Sequence, residues 1–427
     1  MAAGLTARQR VAAALNHEEP DRVPVDFAST HNTGISIIAY NRLKRHCGIT
    51  SPSYMRDPIP MLASPDLEGG HEIIKLLGSD FLPLPRHINS GMRAENWRQW
   101  VLKDGSTCMV PGDFNPVETE AGYIEFSSFN GMALFRMPKG GYYFDSIRHP
   151  LNFVENLSQL EEVTALLYRS GIFHIDQAEL IILKEQARRI HEETDYAVVA
   201  SGGPMFFSLY QIGQELFGYE KFFMFMASEP DLIRCWMDFL ARTCAEKLRH
   251  YLRELGPYID VIMMGDDYGT QEGLQLSPRM FRELFKPHLA AVCRLVHEIS
   301  PRVKILLHSC GSIAPLIPDF IEVGIDALNP VQITAKNMDP VTLKREFGKE
   351  ITFWGGGVRT QTTLVNGTQQ EVINEVKEML EIFKPGGGYI FCPIHDIQEH
   401  VPPATIVAIY EAARQYGAYN LADLPFS

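Results

Sequence analysis

The sequence predicts an α/β protein: a (β/α)8 TIM barrel with an antiparallel β insertion near residues 97–149, in a single domain of residues 1–427. Eight short apolar runs alternate with amphipathic helical segments, and this alternation favours a parallel sheet covered by helices. The runs do not alternate polar and apolar residues, as expected of strands buried on both faces. A doubly wound open sheet is the alternative, although no G-x-G-x-x-G motif follows the first strand to indicate dinucleotide binding.

The predicted elements begin with a helix and a short strand. Thr6–Gln9 reads as a capping box that starts a helix to about Asn16, and Pro20 breaks the pattern. A first strand is predicted at Val23–Phe27. The other seven predicted strands are Asp80–Leu84, Tyr196–Ser201, Ile259–Met264, Val303–His308, Ile325–Leu328, Ile351–Trp354 and Gly388–Cys392.

Helix and turn signals support the rest of this arrangement. Ser277 followed by Pro278 indicates a helix start, and Thr368–Glu371 is a second capping box. Between residues 97 and 149, glycines at Asp104-Gly105 and Gly140-Gly141 separate β-rich runs and indicate hairpin turns. We therefore expect an antiparallel insertion that lies over one end of the barrel.

Composition narrows the function classes. The net charge of −13 argues against nucleic-acid binding, which needs a basic surface. The sequence contains no stretch of 18 apolar residues, so it predicts no membrane-spanning helix. The seven cysteines are odd in number and irregularly spaced, which argues against a disulfide framework. We expect a cytoplasmic protein that binds neither nucleic acid nor membrane, and we allow for a homodimer.

Polar side chains follow several predicted strands, at the end where TIM-barrel enzymes place their active sites. Asp266 and Asp267 follow the fourth strand and are the catalytic candidates. One of them is expected to donate a proton or bind substrate or metal, and the other to cap the turn that follows. The candidates for substrate binding are Asp26, His31, Gln271 and Asn329.

Two Cys/His clusters indicate a metal site. His308 and Cys310 are separated by one residue, so both side chains of an extended segment can point the same way. Imidazole and thiolate are ligands that zinc prefers, and three protein ligands with one open position are typical of catalytic zinc. Cys392 and His395 form the second cluster, and either of them can supply the third ligand. A buried histidine beside a buried cysteine is the alternative for the first pair.

Several segments resemble uroporphyrinogen-decarboxylase-like proteins, and the resemblance covers nearly the whole chain. They are Arg8–Val25, Asp266–Gln271, His308–Gly311, Asp326–Gln332, and Cys392–His395 with Val401–Pro403. The true decarboxylases of this superfamily carry an Arg-Gln-Ala-Gly-Arg-Tyr motif that binds the carboxylates of the substrate. Here the first strand is followed by Ala28–Asn32, without the paired arginines. The resemblance thus predicts that uroporphyrinogen is not decarboxylated.

Another branch of the superfamily contains cobalamin-dependent methyltransferases with a His-x-Cys…Cys zinc site. His308 and Cys310 match its first two ligands. Cys392 has the residue type of the third, but aligning on Pro402 places the family cysteine nearer His395. The sequence therefore leaves the third ligand open between Cys392 and His395.

The resemblance implies transfer of a methyl group between a small methylated substrate and a corrinoid cofactor carried by a partner protein, with zinc as Lewis acid. Methoxylated aromatic compounds are one candidate substrate class, and we favour the demethylating direction. The alternatives are a metal-independent decarboxylase or lyase of the uroporphyrinogen decarboxylase type, and a non-catalytic corrinoid-binding protein.

Overall fold

The computed structural model describes residues 4–127, 133–170, 176–201 and 208–419. Its strands, in chain order, are β1 (Phe81–Pro85), β2 (Ile88–Asn89), β3 (Met92–Arg93), β4 (Arg98–Val101), β5 (Thr107–Val110), β6 (Val117–Glu118), β7 (Ile124–Ser127), β8 (Ala133–Met137), β9 (Asp145–Ser146), β10 (Ala197–Ser201), β11 (Val261–Gly265), β12 (Lys304–His308), β13 (Ala327–Asn329), β14 (Thr352–Trp354) and β15 (Tyr389–Ile390). Strands β1 and β10–β15 form one parallel sheet in that order. This sheet confirms the predicted parallel α/β architecture.

The segment around Val25 lies between the two edge strands of this sheet. Val25 bridges Phe391 in a parallel sense, just beyond β15. The backbone N–H of Phe391 donates to the Pro24 carbonyl at 2.9 Å, and the N–H of Asp80, just before β1, donates to the Val25 carbonyl at 2.8 Å. The segment therefore occupies the eighth position of the TIM barrel. It forms a bridge rather than the regular strand predicted at Val23–Phe27, and Pro24 contributes by having no N–H to donate.

The barrel interior is filled by inward-facing apolar side chains. It includes Phe81, Val261, Leu306 and Trp354, and Phe81 packs on Trp354 with ring centroids 4.7 Å apart. Val11, Ala14 and Leu15 of the first helix belong to the same cluster. A filled interior leaves the strand ends as the place where polar side chains can meet.

Helices surround the sheet. Their bounds are Ala7–Leu15, Ile37–His46, Glu72–Leu77, Leu157–Ser170, Gln177–Glu193, Gln211–Phe217, Tyr219–Ser228, Pro230–Leu255, Pro278–Met280, Lys286–Ile299, Ile317–Val323, Pro340–Phe347, Thr363–Asn366, Gln369–Phe383 and Pro403–Tyr416. A π-helical turn spans Phe281–Phe285, and 3-10 turns span Pro65–Leu67 and Ala314–Leu316. The capping boxes at Thr6 and Thr368 are both formed, and the Ser277 side chain caps its helix as predicted. Within the described ranges, no helix is long and apolar enough to cross a membrane.

The antiparallel insertion is present but begins earlier than predicted, at β2. Strands β2–β3 and β4–β5 form hairpins, and β6–β9 form an antiparallel sheet. Gly105 and Gly140 have φ of +79° and +81°, consistent with the predicted turns. The hydroxyl of Tyr143 contacts Gln398 and Glu399 in the loop that follows β15. The insertion therefore lies at the C-terminal end of the barrel strands.

Candidate metal centre

The side chains of His308, Cys310 and His395 converge at the C-terminal end of the barrel. One potential ligand atom from each lies within 4.8 Å of the other two, and Cys310 Sγ is 3.3 Å from His308 Nε2. His308 is the last residue of β12, and His395 lies in the loop after β15. The two predicted Cys/His clusters therefore meet, and His395 is the residue of the second cluster that lies beside His308 and Cys310.

A buried amide orients the His308 ring. His308 Nδ1 lies 2.6 Å from Asn329 Oδ1, while Asn329 Nδ2 donates to the Trp354 carbonyl at 2.9 Å. Because an amide oxygen can only accept, the ring proton is on Nδ1 and the lone pair of Nε2 faces Cys310. Asn329, predicted to bind substrate, thus orients the ring of a candidate metal-binding histidine.

A carboxylate orients the His395 ring in the same way. His395 Nδ1 hydrogen-bonds to Asp396 Oδ1, and Asp396 is buried with 7% exposure. The carboxylate accepts the Nδ1 proton and leaves Nε2 free to bind a metal. Burial lowers the pKa of His395, but the hydrogen bond and charge of Asp396 outweigh it, and the net shift is upward.

The electrostatic surroundings of Cys310 favour a bound cation. Burial, followed by the nearby Asp267 carboxylate, raises the pKa of the Cys310 thiol. Asp267 Oδ1 accepts the backbone N–H of Cys310 at 2.8 Å and lies 3.8 Å from His308 Nε2. A coordinated metal ion is the kind of charge that would hold this thiol as thiolate despite its carboxylate neighbour.

Cys392 lies apart from this cluster. Its side chain is fully buried in the barrel interior with Ile390 and Trp354, and its Sγ is 3.9 Å from Asn329 Nδ2. Burial raises the pKa of its thiol well above the ordinary value. The side chain points down into the core, so the geometry favours His395 over Cys392 as the third ligand.

Asp266 caps a helix earlier in the chain, not the following turn that was predicted to be capped by one of the two aspartates. Its carboxylate accepts the backbone N–H groups of Leu209, Tyr210 and Gln211 and the Ser208 hydroxyl, all within 2.9 Å. These contacts cap the helix Gln211–Phe217. The prediction that Asp266 is catalytic therefore loses its geometric basis, whereas Asp267 lies beside the cluster.

The remaining predicted substrate-binding residues have different surroundings. Asp26 is fully buried and accepts hydrogen bonds from Ser29 and from Trp354 Nε1 at 2.8 Å. Burial raises its pKa to about 6 although these hydrogen bonds oppose the shift. His31 lines a small cavity of about 30 Å³ beside Arg56, and Gln271 is exposed. Neither Asp26, His31 nor Gln271 belongs to the three-residue cluster in the part of the chain that the structure describes.

Asn32 is a site residue that was not among the predicted site residues. Its Nδ2 lies 3.0 Å from His308 Nε2 and 3.4 Å from His395 Nε2. The loop that carries it is held by mutual hydrogen bonds between Thr30 and Thr33. From the sequence, Asn32 could line the pocket beside His31 or lie in an ordinary loop, and Asp396 had no signal except that it follows His395.

Comparisons with known proteins agree with this fold. A sequence model described as uroporphyrinogen decarboxylase (URO-D) matches residues 156–416, a range that contains all three cluster residues. A curated uroporphyrinogen decarboxylase from Synechocystis sp. is 24% identical over 216 residues, which cover 50% of this chain and 57% of that protein. The chain thus spans little more than half the length of that relative.

A solved structure of a methyltransferase from Methanosarcina mazei is similar over most of its length. It superposes with a TM-score of 0.54 at 18% identity, covering 96% of this chain and 99% of that chain. At this level of identity the likeness shows a shared fold.

Proposed function

The chain belongs to the uroporphyrinogen decarboxylase family. Within this family, we propose that it is a zinc-dependent methyltransferase and not a decarboxylase. In this proposal a methyl group moves between a small methylated substrate and a corrinoid carried by a partner protein. The observation that carries the proposal is the convergence of His308, Cys310 and His395. The corrinoid partner is proposed from the sequence resemblance to cobalamin-dependent methyltransferases.

The donor set fits zinc. Two imidazoles and one thiol are ligands of the type and number found in catalytic zinc sites, which keep one position open. Each imidazole has its Nδ1 engaged by an outer partner, Asn329 or Asp396, as is usual for metal-bound histidines. When bound, zinc would supply Lewis acidity toward an oxygen or sulfur atom of the substrate.

The residues around the cluster have distinct roles in this proposal. His308, Cys310 and His395 hold the metal. Asp267, whose side chain is 31% exposed, is placed to hold or move a proton next to the ligands. Asn32 Nδ2 lies beside both ligand nitrogens, and once their lone pairs are on the metal its NH2 group would be left to donate to a substrate atom.

A decarboxylase function has less support. The loop after the first strand, Ala28–Asn32, contains no arginine, and it brings Asn32 to the metal cluster instead. The guanidinium of Arg56, which lies near this loop, is paired with Asp66. Methoxylated aromatic substrates and the demethylating direction stay predictions from the resemblance.

Metal analysis and a methyl-transfer assay test the proposal together. Purified protein should hold about one zinc per chain and catalyse methyl exchange between a methylated substrate and cobalamin. His308→Ala, Cys310→Ala and His395→Ala should lose the metal and the activity, because each removes one of three ligands. Cys392→Ala is the control and should retain both.

Two results would contradict the proposal. One is full methyl transfer by rigorously metal-free protein. The other is zinc retained by Cys310→Ala and lost from a well-folded Cys392→Ala, which would move the site into the barrel interior.

A further inference from the structure

The two histidines of the metal centre are held by different parts of the fold. His308 ends β12, and its partner Asn329 is its directly paired neighbour on β13. The parallel sheet itself therefore fixes His308. His395 lies beyond the end of β15 in a loop, and its side chain is 40% exposed. Something other than strand pairing must fix its ring.

A hydrogen-bond network reaches His395 from the insertion. Asp396 Oδ1 binds His395 Nδ1, and Asp396 Oδ2 accepts Gln398 Nε2 at 2.7 Å. Gln398 Oε1 accepts a hydrogen bond from the Tyr143 hydroxyl. Because a carboxylate only accepts, the NH2 group of Gln398 must face Asp396, which leaves its carbonyl oxygen for Tyr143. Both oxygens of the carboxylate are thereby engaged, which restricts its rotation.

The insertion end of this network is firmly anchored. Phe144, the next residue after Tyr143, is 8% exposed and packs edge-on against Phe114 with ring centroids 6.1 Å apart. Phe114 also packs on Trp100 at 5.3 Å and on Phe126 at 5.6 Å. Tyr143 therefore extends from a packed aromatic core whose position is set by the fold of the insertion.

We propose that the antiparallel insertion helps to form the metal centre. Tyr143 and Gln398 are positioning residues: they hold the Asp396 carboxylate, which in turn orients the ring of His395 so that Nε2 faces the metal. The proposal rests on the proposed zinc site. The insertion would then do more than cover the end of the barrel. Its network would orient the ring of His395, just as strand pairing with Asn329 orients the ring of His308.

Zinc affinity of the full-length protein, measured by competition with a chromogenic chelator, tests the role of the network. Tyr143→Phe removes the hydroxyl and its contacts with Gln398 and Glu399, whereas Gln398→Met removes the link between Tyr143 and Asp396 at similar side-chain length. Loss of an outer partner typically weakens metal binding 10- to 100-fold, so we expect roughly 10-fold weaker binding in each variant. Tyr142→Phe is the matched control and should bind zinc normally, since the Tyr142 ring packs under Lys103 at 4.3 Å, outside the network.

The absorption spectrum of the cobalt(II)-substituted protein gives a second readout that a merely structural contact would not change. We expect altered ligand-field bands in Tyr143→Phe and Gln398→Met and the wild-type spectrum in Tyr142→Phe. If Tyr143→Phe fails to fold, Gln398→Met still tests the network, because it leaves the aromatic core of the insertion intact.

The outcomes separate this proposal from the one on which it rests. Wild-type protein that binds no zinc would refute the metal centre itself. Wild-type protein that binds zinc, with both network variants binding it equally well and showing unchanged cobalt spectra, would overturn the positioning role alone. A lower melting temperature in Tyr143→Phe with normal affinity would likewise mean that the contact only docks the insertion.

Discussion

At the scale of single residues, Asp266 and Asp267 show how adjacent carboxylates acquire different roles. The carboxylate of Asp266 is buried among backbone N–H groups of the chain before and within the helix Gln211–Phe217. That of Asp267 is partly exposed beside His308 and Cys310. The direction in which each side chain leaves the strand end decides which one meets the site.

This difference predicts opposite phenotypes for two matched substitutions. Asp266→Asn places an NH2 group among N–H donors, so it should lower the free energy of unfolding by about 1–3 kcal/mol with turnover per folded molecule little changed. Asp267→Asn should leave the thermal midpoint nearly unchanged and lower methyl transfer roughly 100- to 10,000-fold, the usual range for an acid–base group. Thermal denaturation and steady-state assays of both variants provide the measurement. Normal turnover in Asp267→Asn would remove this residue from the proposed mechanism.

Asp26 gives a pH-dependent prediction that is independent of the metal. Its pKa is raised by burial from 3.8 to about 6, so the fold favours the protonated carboxyl. That contribution to stability is present below the unfolded pKa and is lost as the pH rises through about 6. Relative to the non-titrating variant Asp26→Asn, the wild type should lose on the order of 2 kcal/mol of unfolding free energy between pH 4 and pH 7. Denaturant titrations at several pH values measure this, and parallel curves for the two proteins would show that Asp26 does not titrate in this range.

At the scale of elements, the segment around Val25 closes the barrel through ion pairs as well as backbone pairing. Asp80, just before β1, binds Arg10 and Arg22 at 2.7 Å each and accepts the Val25 N–H at 2.8 Å. The first helix, the closing segment and β1 are therefore tied together by one buried carboxylate. This junction lies at the start of β1, at the end of the barrel opposite His308, Cys310 and His395.

Asp80→Asn should destabilise the closure without disturbing the metal centre. Removing one member of a buried ion pair costs about 3 kcal/mol at the low end of the usual range, because the remaining charge loses its partner. We expect a lower thermal midpoint but an unchanged zinc content in the folded protein. Glu254→Gln, which breaks the exposed pair with Lys184, is the control and should leave the midpoint unchanged. An unchanged midpoint in Asp80→Asn would mean that the closing segment is held by backbone pairing alone.

At the scale of the whole molecule, a shared family and fold do not decide the reaction. The chain has the fold of its family, but the C-terminal end of its barrel carries a His/Cys/His cluster and the loop Ala28–Asn32 contains no arginine. Chemistry at that end depends on these local groups.

The purified protein should therefore form no coproporphyrinogen from uroporphyrinogen. Without the paired arginines, the loop after the first strand lacks the cations that would bind the substrate carboxylates. Chromatography of the reaction products, with an authentic uroporphyrinogen decarboxylase as positive control, is the measurement. Product formation at a rate comparable to the control would support the decarboxylase function instead.

The order of residues alone predicts the barrel and two of the three clustered side chains, His308 and Cys310. Short apolar runs with helical segments between them predict parallel strands, and the seven paired strands lie within two residues of the predicted starts and ends. His308 and Cys310 were identifiable because their spacing is local, and local spacing sets the direction of side chains in an extended segment. The single domain and the cytoplasmic location stay predictions.

Which of these residues meet depends on contacts between distant parts of the chain. Whether Cys392 or His395 reaches the cluster depends on which way the chain turns after β15, where backbone bridges join Phe391 to Val25 and Ile397 to Ile35. Asn32 and Tyr143 lie far from the ligands in sequence, yet one contacts both histidines and the other supports Asp396 through Gln398. Such contacts join loops from separate parts of the chain, so no local pattern of residues can indicate them.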